Sequence, residues 1–125
     1  MDLAVIGKSF SICQVASLEQ VDWSRDFCFI AQTDQERSVV CETAHVPALA
    51  ITRDDNWRAI RVQGVLDFSL VGVLATLAGL LAEAHIAIFA LSTYNTDYIL
   101  VKQHDLDRAL DALAARGHTV VSRGG

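Results

Sequence analysis

Trp57–Lys102 reads WRAIRVQGVLDFSLVGVLATLAGLLAEAHIAIFALSTYNTDYILVK, and its periodicities decide the fold. Alternation over Ala59–Val65 predicts a strand. Leu66–Leu70 is a short loop, and Val71–Ala84 carries apolar residues at helical spacing. Two further strand patterns follow, Ala87–Ser92 and Asp97–Lys102, hinged at the polar Thr93–Thr96. Downstream, Leu106–Arg116 predicts a helix: Leu106, Ala109, Leu110 and Leu113 form its stripe, and Gly117 supplies a left-handed stop. Thr119–Ser122 closes the series as a strand. The order β-α-β-β-α-β is that of an α+β, ferredoxin-like fold, expected to place both helices on one face of an antiparallel sheet.

The Val71–Ala84 helix has two unlike halves. Leu70, Val71, Val73, Leu74, Leu77, Ala78, Leu80 and Leu81 suit a sheet. The other half carries Gly72, Ala75, Thr76, Gly79, Ala82 and Glu83, small residues with a single charge. A solvated helix face is normally charged, so this half is expected to meet another surface. Together with 52% hydrophobic residues and a mean hydropathy of +0.32, it predicts a homodimer.

Upstream, Leu3–Ile6 and Phe10–Val15 read as strands about a Gly7-Lys8 turn. Ser17–Gln20 reads as a helix cap and first turn, and Phe27–Gln32 with Ser38–Glu42 as a hairpin. Pro47 breaks the order, and Ala48–Thr52 is a candidate strand. Arg53-Asp54-Asp55-Asn56 is the most polar stretch and the best boundary. The expected division is therefore a β-rich half over residues 1–56 and a βαββαβ unit over 57–125.

Composition excludes several classes. Ten Lys and Arg stand against fifteen Asp and Glu, a net charge of -5, so nucleic-acid binding through a basic face is not expected. The N-terminus lacks a signal-peptide pattern. Glu83 and His85 end the longest apolar run short of the ~20 residues of a membrane span. A cytoplasmic protein without membrane attachment is expected. Cys13, Cys28 and Cys41 each sit in an apolar strand-like run, at spacings matching no zinc pattern, so they read as buried thiols. His45, His85, His104 and His118 are scattered without partners. No phosphate-binding, dinucleotide or nucleophile motif occurs. No catalytic residue, metal or cofactor is expected, and hence no enzyme.

Binding signals are stronger. Free N–H groups at Ser69, Leu70, Val71 and Gly72, with the positive end of the helix dipole, suit a carboxylate. Gly72 permits close approach of a ligand backbone. Asp67 and Asp97 suit a cationic group, although locally Asp67 reads as well as a helix cap and Asp97 as a hairpin residue. Ser92, Thr93 and Thr96 place hydroxyls at the same hairpin.

The element order, the strand–loop–helix with Gly72, and above all LSTYNTDYILVKQHDLDRAL resemble ACT domains. The resemblance is to the branch that includes the CASTOR-type cytosolic arginine sensors and short bacterial ACT-domain proteins. There, strand, hairpin and strand read close to LSTYxTDxILV, followed by an acidic-Leu helix start; here these are Leu91–Val101 and Asp105-Leu106. Phe27–Glu42 is a fainter variant, making residues 1–56 a degenerate ACT-like half. The resemblance implies a regulatory module binding an amino acid at a domain or subunit interface. It implies Asp97 as the acidic partner of a basic ligand such as arginine. The Pro common before the loop glycine is Val71 here. The alternative is an assembly or protein-interaction module that keeps the fold without the ligand.

Overall fold

The computed structural model describes residues 1–66 and 72–122. It divides into two compact units, one of residues 1–8 with 58–125 and one of residues 9–57. Among the described residues there are eight strands, β1 (Asp2–Val5), β2 (Phe10–Gln14), β3 (Phe29–Gln32), β4 (Arg37–Glu42), β5 (Thr52–Val62), β6 (Ile88–Ser92), β7 (Asp97–Lys102) and β8 (Thr119–Ser122), and two α-helices, α1 (Val73–Glu83) and α2 (Leu106–Ala114).

The larger unit has the β-α-β-β-α-β order as expected, through β5, α1, β6, β7, α2 and β8. One cluster forms the core beneath its helices. Leu77 and Leu81 of α1 and Leu106, Ala109, Leu110 and Leu113 of α2 pack with Ile60, Val62, Ile99 and Val101 of the sheet. Both helices therefore cover the same sheet face, which the alternation in β5 and β7 makes apolar. Burying a leucine of this kind is worth about 1.5–3 kcal/mol against its exposure.

One strand arrives from outside the expected unit. Spatial order runs β6-β7-β5-β1-β8, so β1 lies between β5 and β8, and its Leu3 and Val5 join the core. Residues 1–8, expected with the N-terminal half, belong here instead. Leu3 pairs with Val62 antiparallel and with Val120 parallel. The sheet is thus not purely antiparallel. A strand that is antiparallel to β5 must be parallel to a β8 that keeps its usual opposed sense to β5.

Boundaries shift for local reasons. Gly64 lies at φ +91°, which takes the chain out of the strand after Val62. Helix α1 starts at Val73 with Gly72 as its N-cap at φ +82°. It stops at Ala84, where His85 takes the left-handed position at φ +59°. The His85 N–H donates to Ala82 O and the Ile86 N–H to Leu81 O, both at 3.0 Å, a Schellman closure. Gly117 closes α2 in the same way, with the His118 N–H on Leu113 O at 3.2 Å.

The smaller unit pairs β3-β4-β2 and the first part of β5 in that order. The hairpin of β3 and β4 forms as expected, with Phe29 opposite Val40 and Gln32 opposite Arg37. Ser17–Gln20 is a single 3-10 turn, with Ser17 Oγ accepting from the Glu19 N–H. One expectation is corrected. Ala48–Ile51 is a turn rather than a strand, and the Ala50 N–H donates to Pro47 O at 3.1 Å. The polar run Arg53–Asn56 lies within β5, with Arg53 opposite Cys13 and Asp54 opposite Ile12, and the division between the units falls just after it. Phe10 then pairs with Trp57, so β5 carries one extra residue there, and Asn56 absorbs it at φ +69°. Buried Ser11 sits at this bulge. Its Oγ donates to Asp55 Oδ1 at 2.6 Å and lies 2.8 Å from Thr43 Oγ1.

Cys13 and Cys41 pack with Val15, Val21 and Val39 in this unit's core, and Cys28 flanks them. Burial pushes all three thiols up, with Cys41 reaching about 12. They are poor nucleophiles there. Among the described residues no group of His, Cys, Asp and Glu is arranged to hold a metal ion.

Candidate functional site

The start of α1 and the tip of the β6–β7 hairpin enclose an open pocket of about 380 Å³. Leu66, Gly72, Val73, Leu74 and Ala75 form one wall, and Ser92–Asp97 the other. The walls are tied together, because the Leu66 N–H donates to Asn95 O at 2.7 Å.

The helix wall offers backbone donors. The first bond of α1 runs from the Thr76 N–H to Gly72 O at 2.8 Å. The N–H groups of Val73, Leu74 and Ala75 precede it and have no carbonyl one turn back within the helix. Gly72 provides no side-chain cap. The helix dipole adds partial positive charge at the same place. A carboxylate suits this wall. The structure puts these donors at Val73–Ala75, later than the expected Ser69–Gly72. Asp67, Ser69, Leu70 and Val71 lie outside the described residues.

Gly72 itself lines the pocket, and a Cβ built on it would meet nothing within 4 Å. Its requirement is therefore conformational. At φ +82° a side chain costs about 1–2 kcal/mol, and any added atom takes pocket space.

The hairpin wall offers the opposite charge. Asp97 is partly exposed, and its Oδ1 accepts from Ser92 Oγ at 2.7 Å across the first pair of β6 and β7. That bond holds the carboxylate at the pocket wall and leaves acceptor capacity for a cation. Thr96 behaves differently. It is 6% exposed, and its Oγ1 donates to Val62 O at 2.6 Å. Its hydroxyl fastens the hairpin to the end of β5. Thr93 closes the turn, its N–H donating to Thr96 O at 2.9 Å.

Gly72, Thr96 and Asp97 are thus brought to one pocket. Tyr94 was not among the expected site residues. It lines the pocket with 79% of its surface exposed. The tyrosine stands in the informative word of the sequence, but period-2 alternation assigns no direction to a residue at a hairpin tip.

No helix among the described residues is long and apolar enough to cross a membrane. The exposed face of α1 consists of Ala75, Thr76, Gly79, Ala82 and Glu83, as its sequence predicts. Glu83 pairs with Arg116 at 3.2 Å.

Comparison with known proteins places this geometry. The ACT domain profile matches residues 52–115. The human protein named cytosolic arginine sensor for mTORC1 subunit 1 is 34% identical over 67 residues, 53% of this chain and 20% of the relative. The rat protein of that name is 32% identical over 68 residues, again 20% of its length. The aligned stretch thus spans about a fifth of these relatives. A crystal structure of an Agobacterium tumefaciens protein superposes with a TM-score of 0.86 at 28% identity, covering 99% of this chain and 94% of that one. The regulatory subunit of aspartate kinase from Thermus thermophilus gives 0.62 at 14% identity, over 90% of this chain and 95% of that one, a likeness of fold.

Proposed function

From the premise that the chain belongs to the ACT-domain family, we propose that it is a small regulatory module whose pocket takes a free amino acid. The observation that carries this reading is the pairing of opposite walls. The N–H groups opening α1 suit an α-carboxylate, and Asp97 on the facing wall suits an ammonium or a cationic side chain. The pocket of about 380 Å³ is of the size small ligands occupy. The relatives named as arginine sensors favour arginine or another basic amino acid as the ligand class. The function is non-catalytic, the setting cytoplasmic, and the smaller unit, residues 9–57, is a degenerate ACT-like half that retains the strand–hairpin–strand pattern.

The working form is a homodimer. Helix α1 presents Ala75, Thr76, Gly79 and Ala82 to solvent, a smooth face with no charge until Glu83. A second backbone can approach small residues closely.

A thermal-shift screen of the twenty amino acids tests the ligand. A ligand at about 100 times its dissociation constant adds roughly 2.7 kcal/mol of stability. A basic amino acid is expected to raise the melting temperature, and acidic ones are not. If none does so at millimolar concentration, the sensor reading fails and the ligand-free assembly module takes its place.

A further inference from the structure

A second depression of about 280 Å³ lies on the hairpin's other side, lined by residues of the larger unit alone. Arg61, Gln63, Asn95 and Tyr98 supply polar side chains to it. We propose that it is a second ligand site, selective for a small anion carrying a carboxylate or phosphate group, with Arg61 as the anchoring residue.

Arg61 is held before any ligand arrives. Its guanidinium lies over the Tyr98 ring, 5.9 Å from the centroid. Its Nε donates to Gln63 Oε1 at 2.9 Å. Ala4 stands opposite it in β1, with no carboxylate to pair with it there. Among the described residues nothing accepts from its two terminal nitrogens. A guanidinium oriented by a cation–π contact and one hydrogen bond presents its remaining donors as a fork, the geometry that matches an oxyanion in two-point contact. The Gln63 and Asn95 amides line the same depression and add neutral donors. The net charge of -5 gives an anion no long-range attraction, so recognition rests on these local groups.

The two pockets share Thr93, Asn95 and Thr96. Thr96 is the pivot, buried and bonded to Val62 O. Asp97 and Tyr98 follow it on opposite faces of β7, one facing each pocket. One hairpin thus carries an acidic wall on one side and a basic anchor on the other.

The test is an amide-shift titration of the whole protein with inorganic phosphate and, separately, with acetate, each against chloride at equal ionic strength. Saturable shifts at Gln63 and Gly64 are expected with at least one of the two anions. The anion that saturates states whether phosphate or carboxylate is preferred. Arg61→Gln is expected to weaken that binding at least tenfold, and Arg61→Lys to weaken it severalfold by removing the fork while keeping the charge. Gln63 and Gly64 line this depression and not the amino-acid pocket, so shifts at their amides separate the two sites. Two results overturn the proposal: neither anion shifts these amides beyond the chloride reference, or both Arg61 variants bind like the wild type.

Discussion

Thr96→Val isolates the bond that joins the hairpin to β5. Valine keeps the shape of threonine and removes its donor. The threonine hydroxyl lies 2.6 Å from Val62 O, and both residues are almost wholly buried, at 6% and 1% exposure. Water cannot readily replace the donor. A typical hydrogen bond is worth about 0.5–1.5 kcal/mol net, and a buried group left unsatisfied costs about 1–3 kcal/mol. The expected loss is about 2 kcal/mol. For a chain of this size that is a fall in melting temperature of roughly 6–10 °C, interpolating between smaller and larger domains. Thr96→Ser keeps the donor and gives up one buried methyl, worth about 0.8 kcal/mol, so it should lose less than half as much. Urea unfolding followed by circular dichroism reads both variants. The valine variant should also bind a pocket ligand more weakly, because the hairpin that carries Asp97 is no longer fastened. A valine variant as stable as the wild type, or a serine variant less stable than the valine one, would refute the reasoning.

Three further outcomes are expected. Leu81→Ala, at a fully buried position of α1, should cost about 2–5 kcal/mol in urea unfolding. The raised thiol pKa values favour the protonated form in the fold, so their contribution is intact below about pH 9. It is lost as pH rises toward the Cys41 value of about 12. The thiols should therefore add no pH dependence near neutrality and lower stability above pH 9, and Cys41→Val should flatten that alkaline slope. Ala75→Glu, on the exposed face of α1, should give monomers in sedimentation if that face forms the dimer, since a buried unpaired charge costs several kcal/mol. A variant that stays dimeric places the contact elsewhere.

Much of the larger unit is legible because its signals are local. Alternation in Asp97–Lys102 sends Ile99 and Val101 inward, and the Leu106–Leu113 stripe fixes one face of α2. Gly117 marks a stop that only a left-handed residue can make. His85 makes the same stop at α1 with a weaker mark, because histidine takes a positive φ more often than most side chains but far less readily than glycine. The placement of β1 is illegible for a different reason. Leu3–Ile6 states that it is a strand, but its partners Val62 and Val120 lie far along the chain, and alternation does not name them. Arg53–Asn56 marks the division, which falls after Trp57, but its charge does not say that the chain crosses it as a continuous strand that absorbs an extra residue at Asn56. At the pocket, Gly72 and Asp97, both expected as binding residues, line the same cavity. Thr96 is readable as a hydroxyl at a hairpin, but only the coordinates show that it faces Val62 O rather than the pocket.

The central claim is that Asp97 and the opening turn of α1 hold a basic amino acid between them. Calorimetric titration of arginine into the wild type and into Asp97→Asn tests it most directly. A charge-assisted hydrogen bond is worth about 1.5–3 kcal/mol, so the account predicts binding to the wild type and a roughly ten- to hundredfold weaker affinity in the variant. Equal affinity in the two proteins, or no heat of binding to the wild type at millimolar arginine, would contradict it.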